Sequence, residues 1–399
     1  MMTNLNTLGQ PQFFINPNKL LAELREQQPV YYHPQLDAWF LTRYHDVVSV
    51  LKDSRFSAAR AGEISTCISP VSQERWQVCQ QYLSGIMVVQ DPPHHTTQRT
   101  LIAAPFLRNH LGHWQMRAQQ VAEQLAQNAA TTGRFELLAA LADPLPRHII
   151  AEMLALPYEE VVQLEANTGA IFAFFGARNA TTDLVNQTYT ALKTIRDTLA
   201  SWLTQRPDDT LSPALPLKRM ASLEERVYLA FALLVGSLET TTFLIAHALL
   251  ALQAHPDAWS ALVEDPSLAT AAVEETLRYD GPAFSLVRSP REAVTIDEVT
   301  IPAGARVYCV LHAANHDPVV FASPERFDLH RDFRKVQVGF GVGPHVCLGA
   351  WLSRMEAAAA LRALAQYVPS LSIVGAVERF GNFGMRGVRS VPIQVLSTL

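Results

Sequence analysis

The chain has 399 residues, 49% hydrophobic and 17% charged, with a formal net charge of -5. This is the composition of an apolar, core-rich globular protein able to bury a large cofactor, and its charge gives no reason to expect nucleic acid as a partner. Four cysteines, Cys67, Cys79, Cys309 and Cys347, show no C-x-x-C spacing and a chain of this size needs no disulfides, so only a Cys67–Cys79 pairing stays open.

Met1 to Gln12 is polar and lacks a basic start followed by an apolar run, so neither a signal peptide nor a membrane anchor is expected. The expectation is a soluble, cytoplasmic protein. No Gly/Ser linker, low-complexity tract or internal repeat divides the sequence, which points to one domain over residues 1–399. Asn16 before Pro17 reads as a helix cap, followed by the apolar stripe Leu20, Leu21 and Leu24. Val30 to Tyr32 and Trp39 to Thr42 read as a hairpin, and Asp46 to Lys52 as a short helix. The stretch Ala61 to Gln90 is mixed. Asp91-Pro92-Pro93 starts a helix that places His95 and Arg99 four apart on one face, where two such groups can grip one anion.

Helical periodicity dominates from Leu111 to Leu203, with Phe172, Phe174 and Phe175 as an aromatic cluster. Arg206 to Pro216 reads as a surface connection. Ser222 and Glu225 form a capping box for the longest predicted helix, Leu223 to about Ala254, whose first half is apolar nearly all round and so must run through the core. Glu239-Thr240-Thr241-Thr242 in its middle is therefore costly. Consecutive β-branched hydroxyl residues lower helix propensity, and a threonine hydroxyl can bond the carbonyl four residues back, which for Thr240 belongs to Gly236.

A further helix, Leu268 to Tyr279, carries Glu275 and Arg278 three apart, able to pair on one turn. Phe284, Leu286 and Val287 follow on an extended segment ending at Arg288. Strand patterns recur at Val294 to Ile296, Val307 to Leu311 and Val391 to Leu396, and a final helix runs from Leu348 to near Tyr367. Between them lies Gly339-Phe340-Gly341-Val342-Gly343-Pro344-His345-Val346-Cys347-Leu348-Gly349, too rich in glycine for a regular helix or strand. Cys347 is its only soft ligand. Glycine backbone amides and the following helix dipole favour its thiolate, which suits it to hold a soft or borderline metal.

Phe340, Gly343, His345, Cys347 and Gly349 fit the pattern F-x-x-G-x-H-x-C-x-G, which resembles the haem-binding signature of the cytochrome P-450 superfamily. The likeness extends over nearly the whole chain. Asp91-Pro92-Pro93-x-His95-x-x-x-Arg99 resembles the family's propionate-binding helix, and Gly236-Ser237-Leu238-Glu239-Thr240-Thr241 its oxygen-activation motif, with Ser237 where the family usually has glycine. Glu275-x-x-Arg278 with Pro324-Glu325-Arg326-Phe327 resembles the family's buried network. The resemblance implies a mainly α fold with a smaller β region in one cytochrome P-450 domain, closest in look to soluble bacterial members.

It further implies heme b (iron protoporphyrin IX) held by Cys347, with Phe340 beside the thiolate, Gly349 in the haem loop, and His95, Arg99, Arg288 and His345 on the propionates. Glu239 and Thr240 would deliver protons to bound dioxygen. Electrons would come from a separate ferredoxin or flavodoxin-like carrier, and the product would be a hydroxylated or epoxidised hydrophobic small molecule, as in secondary metabolism. The apolar wall choosing that substrate is assigned to Met87, Phe172, Phe175, Leu234, Gly236, Phe284, Leu286, Phe383 and Met385. The expected partners exclude nucleic acid and membrane, and a monomer is expected. A peroxide-driven or non-oxygenating haem-thiolate enzyme, and a haem-binding sensor, stay open as alternatives.

Overall fold

The Ser222 hydroxyl accepts the N–H of Glu225 at 3.1 Å, and the Glu225 carboxylate accepts the N–H of Ser222 at 3.1 Å, so the capping box closes in both directions. From it a single helix runs over Leu223–Ala254. The structure is a computed structural model and describes residues 5–59, 65–67, 70–103, 106, 108–176, 179–205, 222–332 and 336–396. Every position of the long helix from Thr241 to Leu252 is buried. Its length and composition would allow it to cross a membrane, yet 72% of its most apolar window is buried inside the protein, which makes it a core helix. The predicted connection Arg206 to Pro216 lies outside the described residues.

The chain forms two compact units, each discontinuous in sequence. The first comprises Met1–Phe56, Gly112–Pro146 and Glu239–Leu399. Its sheet begins with the predicted hairpin, Val30–His33 against Ala38–Leu41, in register from Val30↔Leu41 to His33↔Ala38. Ala38–Leu41 then pairs in parallel with Val307–Cys309, which pairs antiparallel with Leu286–Pro290. Val30, Leu41, Val50, Leu51, Val307 and Val338 form one buried cluster beneath it, together with the helix Tyr44–Lys52. Leu311, expected to end a strand, instead opens the helix Leu311–Asn315.

Two local expectations are revised here. Asn16 does not cap the helix that carries Leu20, Leu21 and Leu24; that helix spans Asn18–Gln27, and Asn16 closes a short preceding helix, Pro11–Ile15. The third member of the buried ion network is Arg331, not Arg326. Glu275 and Arg278, both fully buried, pair through Nη2 and Oε1 at 2.8 Å, and Arg331 Nε reaches Glu275 Oε2 at 3.0 Å. The Arg326 side chain is 73% exposed, and Arg326 contributes only its carbonyl, to Arg278 at 3.1 Å and Arg331 at 2.8 Å. A buried carboxylate needs donors that reach it, and the turn after Phe327 presents Arg331.

The second unit comprises Ser57–Leu111 and Arg147–Leu238 and is helical. Thr182–Gln205 buries the stripe Val185, Ala191, Leu192, Ile195, Leu199 and Leu203, spaced for one helix face, against Pro70–Ser84 and Thr168–Gly176. Pro70–Ser84 supplies order within the stretch read from the sequence as mixed. Trp76 packs on Phe174 with ring centres 5.4 Å apart, so Phe174 is core. Cys79 is a free, fully buried thiol, which sets aside the Cys67–Cys79 pairing.

Candidate active site

Glycine geometry builds the cysteine loop. Gly341 and Gly343 hold φ of 68° and 79°, a left-handed conformation that side chains resist. A Cβ on Gly343 would stand 2.6 Å from the carbonyl oxygen of Leu51, so glycine is what lets the loop lie against the end of the helix Tyr44–Lys52. Gly343–His345 makes one 3-10 turn, the N–H of Cys347 donates to the carbonyl of Phe340 at 2.9 Å, and the C-terminal helix begins at Ala350. The loop thus closes on itself and leaves Cys347 accessible, while Phe340, His345 and Gly349 are half-buried.

The entry to the loop is fixed by side chains. Val338 N–H donates to Asn315 at 2.8 Å, and Gly339 N–H to Gln337 Oε1 at 2.6 Å. The Arg354 guanidinium lies 4.6 Å from the centre of the Phe340 ring and pairs with Glu274. Ser353 on the same helix bonds Thr241 of the long helix, hydroxyl to hydroxyl at 2.6 Å, and Thr242 donates to the carbonyl of Ala142 at 3.1 Å. Sequence inspection missed Glu274, Arg331, Ser353 and Arg354. Glu274 neighbours the motif residue Glu275, and Ser353 and Arg354 stand a turn beyond the loop, but only the packing shows which partners they meet.

Glu239 and Thr240 are half-buried on the long helix, just before the fully buried run that starts at Thr241, and Gly236 is exposed. The Ser237 hydroxyl donates to the carbonyl of Leu233 four residues back, so the atypical serine is satisfied by its own helix. The α-helix is continuous through this turn.

The wall residues fall into three groups. Leu286 and Met385 are half-buried, and a Cβ on Gly341 would stand 3.0 Å from Leu286, which places Leu286 against the cysteine loop. Phe383 and Met385 sit on the turn between Glu378–Gly381 and Arg386–Ser390; this turn docks on the Ala283–Leu286 segment through a bridge from Met385 to Ala283 and a bond from Phe284 N–H to the Gly384 carbonyl at 3.0 Å. Phe284, however, is 1% exposed with its ring edge-on to Phe13 and Phe14, and Phe383 packs on Phe14, Phe40 and Tyr308. Leu234 has no exposed surface. Phe284 and Leu234 are core residues and leave the proposed wall, because aromatic and leucine side chains with no accessible surface spend it on packing, whereas Phe383 is half-buried and keeps accessible surface. In the helical unit, Met87 and Phe172 are half-buried, and the Phe175 side chain lies outside the described residues.

Arg288 is 6% exposed on the strand Leu286–Pro290, and its Nη1 donates to the Val287 carbonyl at 2.8 Å. In the helical unit His95 is 2% exposed on the helix His94–Ile102, and Arg99 is half-buried one turn on. The Asp91 carboxylate ahead of that helix accepts the Ser57 hydroxyl and, at 2.9 Å, the Ala58 N–H. Within the first unit, an accessible thiol on a fixed loop and the buried Arg288 guanidinium are groups of the kinds that fit an iron porphyrin bearing carboxylates.

Comparison with known proteins agrees with this chemistry. The family profile described as Cytochrome P450 matches residues 174–367. The cytochrome P450 monooxygenase PikC of Streptomyces venezuelae is 34% identical, with 98% of this chain and 94% of that protein covered. Two solved structures superpose with TM-scores of 0.87: P450BioI in complex with an acyl carrier protein ligated to hexadec-9Z-enoic acid (28% identity; 96% of this chain, 100% of that one), and the myxobacterial CYP267B1 with myristic acid (30%; 98% and 100%). A mainly α fold with a small β region and a glycine-wrapped cysteine defines a haem-thiolate protein. The chain belongs to the cytochrome P450 family, and it is a haem-dependent monooxygenase that acts on small molecules with electrons from a separate redox partner.

Proposed function

We propose that this enzyme hydroxylates or epoxidises a hydrophobic small molecule carrying a long apolar chain, using heme b ligated by Cys347. The observation that carries the reading is the exposed Cys347 thiol on a loop held by left-handed glycines and the Phe340 carbonyl. The bound haem supplies the one-electron and dioxygen chemistry. His95, Arg99, Arg288 and His345 pair with its carboxylates, and Phe340 packs beside the sulfur. Gly349 stands at the cap position where the loop turns into the helix.

Glu239 and Thr240 hold and move protons toward the oxygen site: the carboxylate exchanges with solvent, and the threonine hydroxyl donates. Leu286, Phe383, Met385, Met87, Phe172, Phe175 and the bare backbone at Gly236 contribute the apolar wall. Relatives solved with myristic acid and with an acyl carrier protein bearing a hexadecenoyl chain support the choice of an acyl-type substrate. The electron donor is a ferredoxin or flavodoxin-like protein, and the enzyme works as a cytoplasmic monomer.

The test is a screen of myristic acid, other fatty acids, terpenoids and macrolides for shifts in the haem absorption band. Product formation is then measured with a ferredoxin and its reductase, and separately with peroxide. The reading expects a shift with long acyl chains and product formed with the electron carrier. Product with peroxide alone would favour a peroxygenase and overturn it.

A further inference from the structure

Both ends of the cysteine loop are tied to one carboxylate that belongs to no recognised motif. Glu274 lies on the helix Ala269–Tyr279, beside Glu275 of the buried network. Its carboxylate pairs with Arg354, Nε to Oε1 and Nη2 to Oε2, the latter at 3.3 Å. The same carboxylate accepts Gln337 Nε2 at 3.1 Å, and Gln337 accepts the N–H of Gly339, the first residue of the loop, at 2.6 Å. A Cβ on Gly339 would stand 2.8 Å from the Leu277 carbonyl, so the loop's entry sits directly on the helix that carries Glu274. At the other end, the Arg354 guanidinium rests on the face of Phe340, 4.6 Å from its centre, and 5.7 Å from that of Trp351. Glu274 thus fixes the chain entering the loop and neutralises the cation stacked on the loop's aromatic residue.

We propose that Glu274 is a positioning residue for the Cys347 site, which holds Arg354 on Phe340 and cancels its charge, and thereby sets how readily the iron bound by Cys347 accepts an electron. This rests on Cys347 as the iron ligand. Reduction adds one negative charge at the metal, so a nearby uncompensated cation favours it and an uncompensated anion opposes it. The side chains of Glu274 and Arg354 are each about one-fifth exposed, so water damps this effect without removing it. A carboxylate in contact with a guanidinium fixes its orientation as well as its charge.

The experiment is a spectroelectrochemical titration of the haem-loaded protein and four variants, with the melting temperature of each. Glu274→Gln keeps the shape and strands the cation, and moves the midpoint potential positive. Arg354→Met keeps most of the stem and strands the anion, and moves it negative. Glu274→Asp stays near wild type, and the double variant Glu274→Gln/Arg354→Met returns toward it. A loosened loop would shift both single variants the same way, so shifts of one sign overturn the proposal, as do unchanged potentials. Should Arg354→Met fail to fold, the contrast between Gln and Asp at position 274 decides the same question. A wild type that takes up no haem through Cys347 would overturn the ligand assignment and this inference together; normal haem loading with unmoved potentials overturns this inference alone.

Discussion

Glu356 stands on the C-terminal helix at 2% exposure, three residues beyond Ser353, and its Oε2 has no hydrogen-bond partner among the described residues. Burial pushes its carboxyl from 4.5 up to about 8, with no neighbouring charge contributing. Below pH 4.5 the group is protonated in folded and unfolded chains alike and adds no pH dependence. As pH rises from 4.5 toward 8 the unfolded chain ionises while the folded one stays protonated, so wild type loses stability relative to a neutral side chain. The Glu356→Gln variant should therefore melt at a temperature that climbs relative to wild type across that window and levels off above pH 8; a difference independent of pH would contradict a raised carboxyl. For Thr240, half-buried next to the fully buried run of the long helix, Thr240→Ala should leave substrate binding within about twofold and divert electrons to peroxide, read as peroxide released per electron pair. Unchanged coupling would remove Thr240 from proton delivery.

The elements that matter most were legible where a local rule decides them. The capping box at Ser222 and Glu225 marks the start of the long helix because both reciprocal bonds lie within one turn of sequence. The cysteine loop is legible for a similar reason, since positions with φ near 70° accept little but glycine. The sheet was not: its strands join residues 30–41 to 286–309, and nothing local in three- to five-residue strands says which distant partner they take. Arg331 was missed on the same ground, because Arg326 and Arg331 are equally charged and only the turn between them decides which enters the core. Arg331→Ala should accordingly cost about 3–5 kcal/mol in denaturant unfolding, by stranding part of the Glu275 charge in the interior. Arg326→Ala should stay within about 0.5 kcal/mol, and the reverse order would refute this network. In the loop itself, Gly343→Ala should cost about 1–3 kcal/mol, since it combines a left-handed φ with a contact to the Leu51 backbone, which has no rotamer to escape into. A variant as stable as wild type would show that the loop does not rest on that helix.

At the scale of the whole molecule, the same division of labour recurs. Buried ion pairs and an alanine-rich C-terminal helix make a base beneath the cysteine loop, with Ala357 to Leu361 all buried, while Met385, Leu286, Glu239 and Thr240 keep accessible surface. The apolar wall was the least legible part, because a sequence shows which residues are hydrophobic and not which of them spend their surface on the core; Phe284 and Leu234 did so. Everything proposed for the chemistry depends on the sulfur of Cys347. The direct measurement is the absorption spectrum of the reduced protein under carbon monoxide, for wild type and Cys347→Ser, each reconstituted with haem. The account predicts a strongly red-shifted band for wild type that is absent from the variant. The same band in both, or in neither, would contradict it.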